Sequence, residues 1–324
     1  MPSLSVLLPM MPTRHEQILS FAALVQWTGA LRLWQGQALS LDAHHSFVFA
    51  AGAGFRVPMG TGVSLMPLKH PHDAAVHARS VAVASGHPFV AGIGPGGIDF
   101  QRNIAGAAYG SQLKAVREYV TAMRGLLDGE EVDLDGEHFT AHDVLPPLPT
   151  PPVEIGLGVL RPAMARLAGE IADVAITWLT PASYIRDVIV PAIEEGAKEA
   201  GRPLPRLVAM VPMYVAQPDR DPTRIVLQSN AGHLMLPHYV DMLTRSGIEI
   251  DPQQPVETVK RLISGGAFLT GDPEDLGRQI GEFHAAGVDE VVINLTGVAA
   301  SYGPQTALSE IESILGSAGG EATP

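Results

Sequence analysis

The chain has 324 residues, of which 46% are hydrophobic and 17% charged, a balance that supports a large folded core and excludes a disordered protein. Lys and Arg number 21 against 34 Asp and Glu, a net charge of −13 with no basic run, so an electrostatic footprint for nucleic acid is excluded. Cysteine is absent, which removes disulfides, thiolate metal ligands and cysteine nucleophiles from consideration.

The opening "MPSLSVLLPMMPTRHE" has no basic residue before Arg14, and its apolar run is broken by Pro9 and Pro12, so it does not read as a signal peptide. No stretch approaches the roughly 18 consecutive apolar residues of a membrane span. A soluble cytoplasmic protein acting on a small molecule, without membrane or nucleic-acid partners, is the expectation. Short β-branched or leucine-rich runs then follow in order: Leu4–Leu8, Leu31–Gln35, Val57–Leu65, Pro88–Ile93, Val153–Leu157, Asp173–Trp178, Arg206–Ala216 and Asp289–Leu295. Helical periods separate them. In 105–129 the residues Tyr109, Leu113, Val116, Val120, Met123 and Leu127 form one stripe that ends at Gly129. In 272–287, Asp272 reads as N-cap, Pro273 as first-turn residue and Gly287 as terminator.

This alternation predicts an α/β fold, a (β/α)8 TIM barrel with an insertion after strand 7; a doubly wound sheet is the rival. Residues 1–316 read as one barrel domain, with a hairpin excursion at about 130–145 turning at Asp135–Gly136. The insertion covers about 217–271, with a helix around 231–246 and the apolar residues Met235, Leu236, Tyr239 and Met242 as a lid or dimer surface. Residues 317–324 read as a flexible tail.

Three glycine-rich segments carry the candidate chemistry. Gly92, Gly94 and Gly97 satisfy G-x-G-x-x-G, but the acidic residue at the right distance, Glu118, falls inside a helix rather than at the end of a second strand, which argues against a dinucleotide site. Placed after a barrel strand, the same turn lies at the ligand-binding rim. Gly156 and Gly158 end the fifth strand ahead of Arg161 and Pro162, where free backbone N–H groups and a helix N-terminus make an anion site; an ordinary turn with a surface arginine fits equally well. Gly60 and Gly62 within the third strand mark a bulge or a close backbone approach. The pairs His44–His45 and His70/His72 read as capping or exposed residues rather than metal ligands, and no metal is expected. The G-x-S-x-G, P-loop and H-E-x-x-H signatures are absent.

"GTGVSLMPLKHP", "VAGIGPGG" with "LKAVREYVTAMRGLLDGEEV", and "RPAMARLAGEIADVAI" with "VPAIEEGAKEAG" together resemble the luciferase-like monooxygenase superfamily, in particular its coenzyme F420-dependent branch of the methylene-tetrahydromethanopterin reductase type. The resemblance implies a TIM barrel, commonly a homodimer, that uses coenzyme F420 or, alternatively, FMN. It also implies a bulge with a non-prolyl cis peptide at Gly62–Val63, next to Thr61, backing the ring. The turn Gly92, Ile93, Gly94 and Gly96 would lie beside that ring, and Gly158, Val159, Leu160 and Arg161 would hold the phosphate of its side chain. The acid–base histidine seen in several relatives has no counterpart in "RLWQGQALSL", which leaves Gln37, His44 and His45 as candidates for the proton donor. The implied activity is hydride transfer to an activated C=C, C=N or carbonyl group. An FMN-dependent two-component monooxygenase and a non-catalytic flavin-binding barrel are the alternatives.

Overall fold

The computed structural model describes residues 3–318. Its strands are β1 (Ser3–Leu7), β2 (Leu33–Gln35), β3 (Met59–Leu65), β4 (Phe89–Gly94), β5 (Val132–Asp135), β6 (Thr140–Asp143), β7 (Val153–Gly158), β8 (Val174–Trp178), β9 (Arg206–Val215), β10 (Leu269–Gly271) and β11 (Glu290–Asn294). Eight of them pair in parallel in the order β9-β11-β1-β2-β3-β4-β7-β8, and β8 pairs back onto β9, so the sheet closes. This is the expected (β/α)8 barrel, and closure rules out the doubly wound alternative. The short β10 adds to the far end of β9. The tail expected at 317–324 lies almost wholly outside the described residues.

Period-two alternation divides each barrel strand between an outer face that meets the helices and an inner face that meets the lumen. Leu7, Trp34, Val90, Val174, Ile176, Val208, Met210 and Val292 form the inner cluster. On β3, β4 and β7 the inner positions near the top are glycines: Gly60 and Gly62, Gly92 and Gly94, Gly156 and Gly158. The large lumen residues take up the space that these glycines leave. A Cβ on Gly60 would come within 2.8 Å of the Trp34 ring, one on Gly62 within 2.3 Å of Met210 Cε, and one on Gly156 within 2.9 Å of Ile176 Cδ1. At Gly92 a Cβ would be 2.0 Å from the Thr61 carbonyl oxygen, so β3 and β4 touch there backbone to backbone.

The floor of the lumen is polar. Glu290 is buried, and its Oε1 accepts from Ser5 Oγ and from the Trp34 indole N–H, both at 2.6 Å. Arg206 donates to Glu290 Oε2 at 3.3 Å and to Glu154 at 2.8 Å. Arg32 lies 3.7 Å from Glu290 and donates to the carbonyls of Met59 and Pro88. A buried carboxylate is tolerable here because it is both paired and hydrogen-bonded.

The structure differs from the sequence reading at two helices. Residues 105–129 do not form one helix: Ile98–Ala105 ends at Gly106 in a left-handed conformation, and Gln112–Asp128 begins afresh on Ser111, whose side chain accepts from Lys114 N. Tyr109 therefore sits in a loop against His138 and Phe139. Glu118 is buried, and its carboxylate accepts from the N–H groups of Glu137, His138 and Phe139, so it holds the turn of the β5–β6 hairpin. The helix expected around 231–246 is two, Pro222–Leu234 and Pro237–Arg245, because Pro237 cannot continue the first. The unit at 272–287 is as read: the Asp272 side chain accepts from Asp275 N, and Gly287 follows in the left-handed region.

The packing predicts a graded response to added methyl groups. Gly92→Ala, aimed at backbone, is expected to cost about 3 kcal/mol or more, and Gly60→Ala, aimed at the Trp34 ring, about 1–3 kcal/mol. Gly29→Ala, where a Cβ meets nothing within 4 Å, is expected to stay within about 0.5 kcal/mol. Urea denaturation midpoints of the three variants check the order.

Candidate active site

The C-terminal ends of the barrel strands form the mouth. On one side stands the bulge: β3 and β4 pair regularly up to Thr61–Ala91, and pairing resumes at Ser64–Ile93. The extra residue turns Val63 inward, and the peptide bond between Gly62 and Val63 is cis. The Val63 side chain lies against the inner faces of Gly94 and Gly158, where added Cβ atoms would be 3.0 and 3.4 Å from its methyls. Thr61 Oγ1 donates to the Gly92 carbonyl at 2.9 Å and clamps the two strands just below.

Two barrel strands end in inward-facing polar groups that find no hydrogen-bond partner among the described residues, Trp178 Nε1 on β8 and Asn294 Nδ2 on β11. Gln35 at the end of β2 is buried with both amide atoms unpartnered among the described residues, but it alternates with Trp34 and pairs with Thr61, so it faces the helix layer and not the mouth. Asn294 Oδ1 is committed to Thr296. Buried polar groups are normally satisfied, so unsatisfied ones on the two strands that flank β9 at the mouth are candidates for bonds to a ligand.

The segment after β9 covers this mouth. Helix Pro222–Leu234 is anchored at one end by Ile225, whose carbonyl oxygen sits 2.1 Å from where a Gly297 Cβ would be, in the helix that follows β11. At the other end His233 stacks on Trp178 at the tip of β8, with ring centroids 5.2 Å apart and an interplanar angle of 27°. Asn230 lies between the anchors, fully buried, with neither amide atom partnered among the described residues. Tyr239 closes edge-on against His233 at 4.9 Å, and Leu236 reaches Gly97 in the turn after β4. Of the expected apolar lid, Met242 is buried and Met235 is exposed. Burial, with a smaller contribution from His238, depresses the His233 pKa to about 4, so its imidazole is neutral near pH 7.

On the β7 side the helix Pro162–Ile171 starts without a side-chain cap; Pro162 has no N–H and Met164 N donates to the Arg161 carbonyl, which leaves Ala163 N–H as the first-turn donor beside Arg161. Arg161 is about half exposed and lies 3.7 Å from Asp241 of the covering segment. Leu160 is half-buried beside it, but the Val159 N–H donates to the Ile176 carbonyl and is not free for a phosphate.

The structure corrects the assignment of the proton donor. Gln37 spends its amide on backbone, donating to the Ala38 carbonyl and accepting from Leu65 N. His44 is buried in the helix layer behind the sheet, beside Phe89 and His77, with Nδ1 3.0 Å from Asp42 Oδ1. His45 is exposed on the same helix. None of the three faces the mouth. Gly92 is likewise a packing glycine in β4, and Ile93 points to the outer core, so of that turn only Gly94 and Gly96 reach the rim. Asp42, His44 and His77 could group around a cation, but Lys69 already pairs with Asp42. Burial alone would raise the Asp42 carboxyl; hydrogen bonds from His44 and Lys69 outweigh it and hold the group far below the carboxylate range. Sequence reasoning missed Trp178, Asn294, Asn230 and His233; for the first two the available signal was a polar or indole-bearing residue at the end of an apolar strand.

The sequence matches the profile of the luciferase-like monooxygenase family over residues 7–290. It is 31% identical over 193 residues to an F420-dependent glucose-6-phosphate dehydrogenase of Nakamurella multipartita, an alignment covering 57% of each chain. It is 27% identical over 270 residues to a 5,10-methylenetetrahydromethanopterin reductase of Methanopyrus kandleri, covering 74% of this chain and 76% of the relative. The fold superposes on the coenzyme F420-dependent tetrahydromethanopterin reductase of the same organism with a TM-score of 0.76 at 21% identity, covering 97% of both chains. It also superposes on the FMN-bound oxygenating constituent of 3,6-diketocamphane monooxygenase of Pseudomonas putida, with a TM-score of 0.71 at 17% identity and coverage of 100% and 99%. Among the described residues no helix is long and apolar enough to cross a membrane. The profile spans most of the barrel, from β1 to the start of β11, and on that evidence the chain belongs to the luciferase-like monooxygenase family.

Proposed function

We propose that the chain is a coenzyme F420-dependent oxidoreductase that moves a hydride between the deazaflavin and an activated C=C, C=N or carbonyl group. The observation that carries this reading is the mouth itself: buried polar groups without partners stand around it, and an uncapped helix N-terminus with Arg161 stands beside it. That combination suits a flat ring with a polar edge and an anionic tail. The relatives named as F420-dependent favour deazaflavin over FMN.

The bound deazaflavin would supply reversible two-electron hydride chemistry. The chain's own residues supply position and enclosure. The bulge at Gly62–Val63 would back one face of the ring. Leu160, Arg161 and the Ala163 N–H at the start of helix Pro162–Ile171 would hold the anionic tail. The covering segment, through Asn230, His233 and Tyr239, would bound the substrate and keep water out. The proposal includes the homodimer that the resemblance implies, which light scattering would separate from a monomer.

Two outcomes are expected. In side-by-side fluorescence titrations, oxidised coenzyme F420 binds at least about tenfold more tightly than FMN, a difference of about 1.4 kcal/mol. Arg161→Ala weakens coenzyme F420 about tenfold, as expected for loss of a charge-assisted contact. A preference for FMN would move the chemistry to a two-component monooxygenase, and binding of neither would remove both site assignments.

A further outcome concerns pH. His233 titrates near 4 when folded against about 6.5 when unfolded, so between those values the unfolded chain binds more protons. The stability tied to neutral His233 is complete above about pH 6.5 and is lost as pH falls toward 4. His233→Phe is expected to flatten that part of the curve of denaturation midpoint against pH, and an unchanged slope would refute the assignment.

A further inference from the structure

In the closed barrel, β9 stands diametrically opposite β3, with β8 and β11 on its two flanks. The bulge that would back the ring is on β3, and the covering segment grows from β9. The mouth therefore has two sides, and the unpartnered polar groups stand on one of them. The β3 side is bare backbone and Val63. Trp178, Asn294, Asn230 and His233 belong with β9, its flanking strands and its cover.

These four have a common chemistry. Asn230 and Asn294 are fully buried primary amides, Trp178 offers an indole N–H, and His233 offers an unpartnered ring Nδ1. None carries a charge near pH 7, because burial keeps His233 neutral. The cations of this rim, Arg161 and Arg245, are both more than half exposed and both face Asp241 on the outside of the cover. Farther back, Arg220 is matched to Glu310 at 2.6 Å. A charged substrate group placed among the four would lose its hydration with no counter-ion to replace it, whereas a neutral amide, ketone or imine would complete their hydrogen bonds.

Building on the proposed function, we infer that the substrate is an uncharged molecule recognised through a neutral carbonyl, amide or imine edge by Asn230, His233, Trp178 and Asn294, and that phosphorylated and carboxylated substrates are excluded. This separates the chain from a relative named for glucose 6-phosphate. Sites built from buried hydrogen-bonding groups discriminate strongly, because a ligand that fails to match them leaves the groups unpaired.

The test is calorimetric titration of the full chain with matched probes, cinnamamide against cinnamate and nicotinamide against nicotinate, with oxidised coenzyme F420 at saturation and again without it. Each amide is expected to bind at least about tenfold more tightly than its carboxylate. Asn230→Leu should weaken the amides about tenfold and leave the carboxylates nearly unchanged. Asn230→Asp keeps the side-chain shape, so it separates recognition from misfolding; it should weaken the amides without creating carboxylate binding. Carboxylates bound as tightly as amides, amides unaffected by both Asn230 variants, or no amide binding in the millimolar range would each overturn the inference. Failure of coenzyme F420 to bind while amide selectivity persists would defeat the cofactor reading alone, and coenzyme F420 binding without amide selectivity would defeat this inference alone.

Discussion

The fixed volume of the barrel lumen is the constraint on which the rest of the structure depends. Trp34 reaches inward from β2, its indole held to Glu290 at 2.6 Å, and its ring occupies the space that a side chain at position 60 would need. Met210 crosses from β9 to Gly62, and Ile176 lies over Gly92 and Gly156. Interiors at crystal-like density leave no slack for both partners of such a pair to be large. The bulky residues on β2, β8 and β9 therefore require bare backbone on β3, β4 and β7, and three G-x-G segments on adjacent strands provide it.

The same arithmetic shapes the mouth. One layer above the Trp34 and Met210 contacts, the β3 bulge turns Val63 into the lumen, where the last inner glycines of β4 and β7 receive it. Glycines that in isolation suggest a phosphate loop or a ring-facing turn are thus first of all packing partners. Their functional consequence is indirect: they let a bulge form without overfilling the top layer, and the bulge leaves a wall beside which a flat ligand fits. Glu118 shows the same reassignment, since an acid at the spacing of a ribose acceptor instead satisfies three N–H groups of a hairpin turn.

Much of this was legible in the sequence because it follows from local pattern. All eight barrel strands fall where β-branched runs alternate with helical periods, and the bulge at Gly62 follows from glycines in a strand that has little reason to hold them. The failures share a different cause. His44 and His45 follow the second strand, as a mouth residue should, but Asp42 caps the helix there and draws His44 behind the sheet. Trp178 and Asn294 carry no motif; their significance lies in having no partner in three dimensions, and no spacing rule expresses that. Gly106 and Pro237 each divided a helix that apolar periodicity alone would run through.

The position of the cover follows from topology rather than from any motif. A segment that leaves the barrel after β9 begins opposite the bulge, so to close the mouth it has to cross toward β4 and β7, and its contacts at Trp178, Gly97 and Arg161 trace that path. The crossing ties the two halves of the site together: Asp241 faces the arginine assigned to the cofactor tail, while Asn230 and His233, on the same segment, face the space assigned to the substrate. Residues 222–245 thus span both sides of the mouth, on a barrel whose floor and lumen are already fixed by Glu290 and Trp34.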